Sequence, residues 1–564
     1  MTRGEDGWFD FVTDAGHAGS LYQYVIDGGP SVPDPASRFQ PAGVHGPSEV
    51  INPYTYEWHD ERWCGRQWHE AVIYELHVGA FSAEGTFSAI EEKLDYLADI
   101  GVTAVELMPV STFPGRRNWG YDGVLPYAPT ANYGRPDDLK HLVDMAHAKN
   151  LMVFLDVVYN HFGPEGNYLW FYAPQFFTDR HHTPWGQAIN FDGPDSRTVR
   201  DYFIHNALYW LDEYHFDGLR LDAVHAIRDD SRPDILLELA KTVRNRYIDG
   251  RIVHLVLEND HNAAHYLRQE NASGADARSQ VALYDAQWND DIHHALHILL
   301  TGERGAYYSD YANDPITHLG RCLTEGFSYQ GQPSQYRNGE LRGEPSGDLP
   351  SVRFVNFLQN HDQVGNRAFG ERVSRLADPA ALKAAMTILL LAPSPPLLFM
   401  GEEFAAATPF LFFCDFGADL AQKVSEGRRS EFPQFMVTGE SEIPDPNFEQ
   451  TFLTSKLDWS STGDATHRDW LDFYRGLLDC RRREIVPQIG GILAGSARYE
   501  VVGPSAITVK WPFQQGGSLY LLANLGKTSL QLEKLDGRLL YSTAPGQRVV
   551  AGELRACSAT WYLR

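Results

Sequence analysis

The rhythm of apolar residues along the chain changes near residue 69. Before it, short and partly alternating runs such as GWFDFVT and SLYQYVIDGG end in turn residues, with Gly28, Gly29 and Pro30 closing the second. They predict strands of a small β domain. A Pro-rich connector follows from Val32 to Pro53. Beyond residue 69, near-continuous apolar runs recur at 71–78, 103–110, 151–161, 216–225, 252–260, 281–288, 352–362 and 396–404. Strands of a parallel sheet covered on its outer face have this texture. Amphipathic segments separate them. Residues 86–100 set Phe87, Ile90, Leu94 and Leu97 on one stripe and stop at Gly101. Residues 136–149 open on Pro136 and carry Leu139, Leu142, Val143 and Ala146 on one side. Residues 195–214 form a longer helix opened by Asp195 or Ser196. Strand and helix alternating eight times predict an α/β fold, a (β/α)8 TIM barrel. A doubly wound open sheet is the alternative.

The flanks read differently. Residues 1–65 are expected to be an N-terminal β-sandwich, residues 66–465 the catalytic barrel, and residues 466–564 a helix followed by a C-terminal β-sandwich. The segment 162–194 reads as a loop excursion from the barrel. The stretch 405–457 has no legible organisation, and 466–483 is helical. From about residue 490 the runs ARYEVV, AITVKW, SLYLLANL and RACSATWYL alternate as sandwich strands do.

Composition narrows the class of partner. A 43% hydrophobic chain is no disordered polymer, and 564 residues suffice for a large core with two to four domains. The net charge of −26 repels nucleic acid and anionic membranes but is indifferent to a neutral ligand. Five scattered cysteines, Cys64, Cys322, Cys414, Cys480 and Cys557, form no CxxC and fit a reducing compartment. The opening MTRGEDGWFDF has no apolar stretch of leader length, and prolines 393, 395 and 396 break the longest apolar run. A soluble cytoplasmic protein is expected.

The chemistry of a barrel gathers at the C-terminal ends of its strands. There the third run delivers Asp156, Asn160 and His161, the fourth Arg220 and Asp222, the fifth Glu258, and the seventh His361 and Asp362. One strand-end Asp is more often a loop cap than a catalyst; seven ionisable groups on one rim are not explained that way. In GLRLD, Arg220 and Asp222 share a face, while Leu219 and Leu221 take the other. The guanidinium can hold the carboxylate ionised, as a nucleophile requires. Glu258, after IVHLVL, is partly desolvated and suits a proton-holding acid. Two such carboxyls flanking a bond are the apparatus of retaining glycoside cleavage, at a separation of about 5–5.5 Å. Asp362 is a third carboxylate able to favour a distorted ring, and His161 and His361 can donate to sugar hydroxyls. Asp156 orients Arg220 or binds substrate, and Asn160 is a loop hydrogen-bonder or a calcium ligand. Trp119, Tyr121, Trp170, Tyr172 and Trp288 stack on sugar rings or on the core.

DVVYNH at 156–161, GLRLDAVH at 218–225, the Glu258 strand and FLQNHD at 357–362 resemble, in order and spacing, the four signature regions of the α-amylase superfamily. The resemblance spans roughly residues 65–564. It implies a (β/α)8 barrel, retention of configuration, Asp222 as nucleophile, Glu258 as general acid/base and Asp362 as transition-state stabiliser. Arg220, Asp156, His161 and His361 carry over by motif position, and His225, Tyr121 and Trp119 complete the candidate substrate-binding set. Further segments are similar to the maltooligosyltrehalose trehalohydrolase family: VPDPASRFQPAGVHGPSEV at 32–50, YELHVGAFSAEGTF at 74–87, MPVSTFPGRRNWGYDGV at 108–124, GEEFAAATPFLFFCDF at 401–416 and SKLDW at 455–459. That resemblance implies hydrolysis of the α-1,4 bond beside a terminal trehalose, with no cofactor, no metal and no obligate protein partner. Its N-terminal immunoglobulin-like domain of about 100 residues is expected to be shortened here.

Three rival readings are distinguishable. A branching or debranching enzyme shares every catalytic residue and differs in product. A metal-dependent barrel hydrolase draws on His77, His161 and His361, but the first strand carries no HxH and no ligand cluster stands at metal spacing. A non-catalytic α-glucan-binding protein leaves the retention of Asp222, Glu258 and Asp362 without a reason.

Overall fold

The computed structural model describes residues 1–4, 9–248, 250–268, 282–432, 442–533, 535–544 and 552–564. Eight parallel strands close a barrel: β1 (Ile73–Leu76), β2 (Ala104–Leu107), β3 (Met152–Val157), β4 (Gly218–Leu221), β5 (His254–Leu257), β6 (Ala286–Trp288), β7 (Phe354–Phe357) and β8 (Pro396–Phe399). Each lies inside one of the eight apolar runs. Closure comes from β8 on β1, with Leu397 opposite Ile73 and Phe399 opposite Glu75.

Strand alternation sorts the side chains into two environments. Val105, Leu107, Val153, Leu155, Leu219, Leu221, Leu255 and Leu257 point outward into the core shared with the helices. Ile73, Ala104, Met152, Phe154, Val256, Ala286, Val355, Phe357 and Leu397 fill the barrel interior. Trp68 belongs to the same interior cluster, and its indole N–H donates to Val352 O at 2.7 Å. The inward positions nearer the strand ends are Glu75, Glu106, Asp156 and Arg220, all buried. One parity therefore stacks apolar residues deep in the barrel and charge at its mouth.

The helices follow the predicted stripes. Residues 86–100 break into Phe87–Glu91, capped by Thr86 Oγ1 on the Ala89 N–H at 3.3 Å, and α1 (Leu94–Ile100). Gly101, at φ 101°, ends α1 in the left-handed conformation that a side chain would strain. α2 (Pro136–Ala148) starts on its proline, and the Arg135 N–H donates to Asp138 Oδ2 at 2.7 Å. In α3 (Ser196–Glu213), Asp195 stands at φ 60° and makes no side-chain cap bond. Beyond these lie α4 (Ile235–Arg246), α5 (Asp290–Thr301), α6 (Pro315–Glu325), α7 (Pro379–Leu391) and α8 (Ala465–Cys480).

One expectation about the flanks, the N-terminal sandwich, needs correction. Among the described residues of 1–65, strands are two residues long and pair only in twos, as in Leu21–Tyr22 with Ser48–Glu49 and Tyr24–Val25 with Ser31–Val32. No sandwich forms there, because turn residues interrupt every run. Residues 32–65 instead form a strap along the barrel. Val32, Phe39 and Val44 are buried. Tyr202 Oη donates to Pro35 O at 2.6 Å, Arg38 pairs with Glu213, and Trp63 Nε1 donates to Asp217 Oδ1 at 2.7 Å. The C-terminal part has one full antiparallel sheet, in the order β9 (Arg498–Gly503), β10 (Ala506–Pro512), β11 (Ser518–Asn524), β13 (Ser558–Leu563), β12 (Arg538–Ser542). Its second layer, among the described residues, is the pair Leu530–Gln531 and Glu553–Leu554. The excursion 162–194 contains a hairpin of Phe177–Thr183 and Gly186–Ile189, and 405–457 contains the helix Ala418–Ser430. Among the described residues no helix is long and apolar enough to cross a membrane.

Two tryptophans fasten the C-terminal sheet to the barrel. Trp511 and Trp561 stack at 5.4 Å and 16°, and their indole N–H groups donate to Leu323 O of α6 and Thr387 O of α7 at 3.2 and 3.1 Å. Both are fully buried. Trp561→Ala empties that space, so it is expected to cost roughly 3–5 kcal/mol. A thermal or urea melt of the variant checks this; a midpoint within a degree of the parent's would contradict the fastening role.

Candidate active site

Arg220 is the hub of the barrel mouth. It is fully buried, and its guanidinium carbon sits 4.1 Å from the Trp288 ring centroid. Nη1 donates to Asp156 Oδ2 and to Asp222 Oδ1, each at 2.7 Å, while Nη2 lies 3.8 Å from Glu258 Oε2. One positive charge thus faces three carboxyl groups. Burial pushes Asp156 up to about 7 against the pull of Arg220, with Asp222 adding to the rise. Tyr121 Oη donates to Asp156 Oδ2 at 2.7 Å.

Asp222 is bracketed on both oxygens. Arg220 takes Oδ1, and Asn160 Nδ2 donates to Oδ2 at 2.9 Å and to the Asp222 carbonyl at 2.8 Å. Asn160 is therefore a hydrogen-bonder to the carboxylate beside it. His161 Nδ1 bonds Asn160 Oδ1, and its ring lies flat on Trp185 at 4.4 Å and 5°. Burial lowers the His161 pKa, against the carboxylates of Asp222 and Asp122.

Glu258 accepts the Ala223 N–H on Oε2 at 2.6 Å. Ala223 stands at φ 41°, a left-handed conformation strained for a residue with a Cβ and typical of functional turns. Burial drives the Glu258 carboxyl well above the usual carboxylate range; Asp222, Asp290 and Asp362 add to this and Arg220 opposes it. A buried carboxyl that keeps its proton near neutrality is able to act as a general acid.

The opposite wall comes from β1 and β7. The His361 N–H donates to Glu75 Oε2 at 3.0 Å and its Nδ1 to Glu75 Oε1 at 2.5 Å, leaving Nε2 3.5 Å from Asp362 Oδ1. Asp362 is half exposed and accepts from Asn366 Nδ2 at 3.1 Å. Tyr121 stacks on His361 at 5.0 Å and 24°. Trp119 meets the same ring edge-on at 5.5 Å, stacks on Phe410 and donates its indole N–H to Leu411 O at 2.9 Å. At 5% exposure it supports His361 and offers no face to a sugar. A Cβ on Gly365 would lie 2.1 Å from Trp119, so this approach requires glycine. Trp288 likewise underlies Arg220 and is buried, whereas Trp170 is exposed.

A cleft of about 340 Å³ opens here, lined by His225, Glu258, Asp260, Asp290 and Asp362. It shares His225, Arg337 and Arg342 with an adjoining cavity of about 460 Å³. His225 Nδ1 accepts the Asp260 N–H at 3.3 Å. Sequence reasoning passed over Glu75, Glu106, Trp185, Asp290 and His294. The signal for the first two was present, since each is a carboxylate inside an apolar strand, at the inward parity. Away from the mouth, His181, Asp192 and Asp230 have ligand atoms within 4.8 Å of one another. Arg180 already pairs with Asp192 there, at 3.1 Å.

Residues 53–183 match the model of the alpha amylase catalytic domain, and residues 494–561 match a domain of unknown function, DUF3459. The chain is 43% identical over 483 residues to a malto-oligosyltrehalose trehalohydrolase of Saccharolobus solfataricus, covering 86% of this chain and 81% of that one. It is 45% identical over 469 residues to the Deinococcus radiodurans protein of the same name, covering 83% and 75%. A crystal structure of a putative alpha amylase from Salmonella typhimurium superposes with a TM-score of 0.93 at 45% identity, over 100% of this chain and 93% of that one.

The His361–Glu75 contact generates a pH prediction. Burial alone lowers a histidine pKa, but Asp362 and Glu75 outweigh it and raise His361 to about 9. The folded value lies above the unfolded one of about 6.5. The stabilisation is therefore full below pH about 6.5 and is lost as pH rises through about 9. Glu75→Gln is expected to shift that loss to lower pH. Melting temperatures from pH 6 to 10 read it, and superimposable profiles for the two proteins would overturn the assignment.

Proposed function

The chain belongs to the malto-oligosyltrehalose trehalohydrolase family, and we propose that it hydrolyses the α-1,4 bond joining a maltooligosyl chain to a terminal trehalose. The products are trehalose and a maltooligosaccharide, which makes the reaction a step of trehalose formation. The observation that carries the assignment of roles is the unequal sharing of Arg220. Its guanidinium bonds Asp156 and Asp222 and only approaches Glu258.

Asp222, with counter-charge on one oxygen and an amide on the other, is the nucleophile. It attacks the anomeric carbon as the glycosidic C–O bond breaks. Glu258 holds Oε2 on the Ala223 N–H, which leaves Oε1 to deliver its proton to the departing trehalose oxygen. Water then attacks the glycosyl–Asp222 ester, losing its proton to Glu258, and Asp222 departs as carboxylate. Two inversions return the α-configuration. Asp362 and His361 stand opposite, placed to hold ring hydroxyls while positive charge develops on the sugar. Glu75 fixes the His361 ring, and Asp156 with Tyr121 fixes Arg220.

Asp222→Asn and Glu258→Gln are each expected to lower kcat by about 10²–10⁴-fold or more, with the melting temperature preserved. Incubation with maltotriosyltrehalose is expected to give trehalose and maltotriose, with the maltotriose first appearing as its α-anomer by NMR; maltopentaose is expected to change little. Equal cleavage of both substrates, or transfer of the chain to a second glucan, would move the protein to a hydrolytic or branching role on plain glucans. A β-anomer product would refute the double displacement.

A further inference from the structure

Two polar side chains of α5 open on the catalytic cleft and have no part in the chemistry above. Asp290, the first residue of the helix, accepts from Gln363 Nε2 on Oδ1 at 3.4 Å; its Oδ2 has no partner among the described residues. His294, one turn further on, is 7% exposed. Its Nδ1 is sealed and unpartnered, and Nε2 has no hydrogen bond among the described residues, which leaves Nε2 for a ligand. The ring is fixed by Tyr307 at 4.9 Å and Tyr311 at 4.8 Å. Residues four apart share a helix face, and both line the 340 Å³ cleft with Glu258 and Asp362. Burial keeps the His294 imidazole well below its ordinary range, so it meets a ligand as a neutral ring.

An unsatisfied buried polar group costs about 1–3 kcal/mol. His294 is such a buried side chain, and with the partly exposed Asp290 it presents unpartnered polar atoms to the cleft beside Glu258, where a ligand can bond them. The cleft walls indicate which ligand. Arg337 pairs with Asp260, and Arg342 lies 3.2 Å from Asp260. Arg342 also lies 3.0 Å from Asp291, so each guanidinium is matched by a carboxylate, which favours a neutral, hydroxyl-rich molecule. The cleft does not reach Asp222, Asn160 or His161. It runs from Glu258 past His225 and Asp260 toward the adjoining cavity of about 460 Å³. Glu258 protonates the leaving oxygen, so the space on this side takes the leaving group.

We propose that Asp290 Oδ2 and His294 Nε2 form a hydroxyl-binding pair for the leaving trehalose and determine specificity for it. The proposal rests on the trehalose-releasing reading above. The experiment compares maltotriosyltrehalose with α-maltotriosyl fluoride, whose leaving group carries no hydroxyls, and measures inhibition by free trehalose. For Asp290→Ala and His294→Phe, kcat/KM on the trehalose-ended substrate is expected to fall about 10- to 100-fold further than on the fluoride, the worth of one or two such bonds. The inhibition constant of trehalose is expected to rise in parallel, and Asp290→Asn, which keeps an acceptor oxygen, to recover part of the loss. Equal falls on both substrates, or unaltered trehalose inhibition, overturn the pair alone. A parent enzyme that cleaves the fluoride but neither releases nor responds to trehalose overturns the reading beneath it, and the pair with it.

Discussion

A single guanidinium shared among three carboxyl groups is the constraint around which this barrel mouth is built. In a buried site one positive charge cannot hold three negative ones, so the third group keeps a proton. Arg220 sits against Asp156 and Asp222 and leaves Glu258 at 3.8 Å. That geometry supports the proposed division of roles between Asp222 as nucleophile and Glu258 as proton-holding acid. The neighbouring fixtures serve it. Trp288 supports the guanidinium, Tyr121 shares Asp156 Oδ2 with it, Asn160 takes the Asp222 oxygen it leaves, and the strained Ala223 turn brings an N–H onto Glu258.

The fold supplies this division cheaply. The inward positions of β3 and β4 place Asp156 opposite Arg220 in register, so the central pair is set by backbone pairing before any side chain adjusts. The deeper inward positions are apolar and exclude water from below. Conditions for a low local dielectric, in which the charges act strongly, are thereby met by the same period of two that builds the strands.

Most of this was legible in the order of residues because it obeys short-range rules. All eight strands fall within apolar runs, and Leu219 and Leu221 pack on the helices as their parity requires. What escaped detection depends on contacts across hundreds of residues. Nothing near Glu75 announces that it clamps His361, 286 positions away. Trp119 reads as a sugar platform until its N–H is seen to be on Leu411 O. The N-terminal runs alternate like strands, yet their turns come too often for a sheet to grow, and the strap finds its partners on α2 and α3 instead. Asp290 and His294 were hidden because nothing in the sequence marks which helix start opens on the cleft.

The clamp between Glu75 and His361 also sets a timetable. The first strand leaves the ribosome long before the seventh and eighth, and β1 must wait for β8 to complete its second edge. Contacts of such sequence separation form late because loop closure precedes any reward. The wall that orients Asp362 therefore comes into being with the closing of the barrel itself. Asp222 and Glu258 follow adjacent paired strands, whereas His361 meets Glu75 only across the closure. Completion of this wall is thereby tied to completion of the topology.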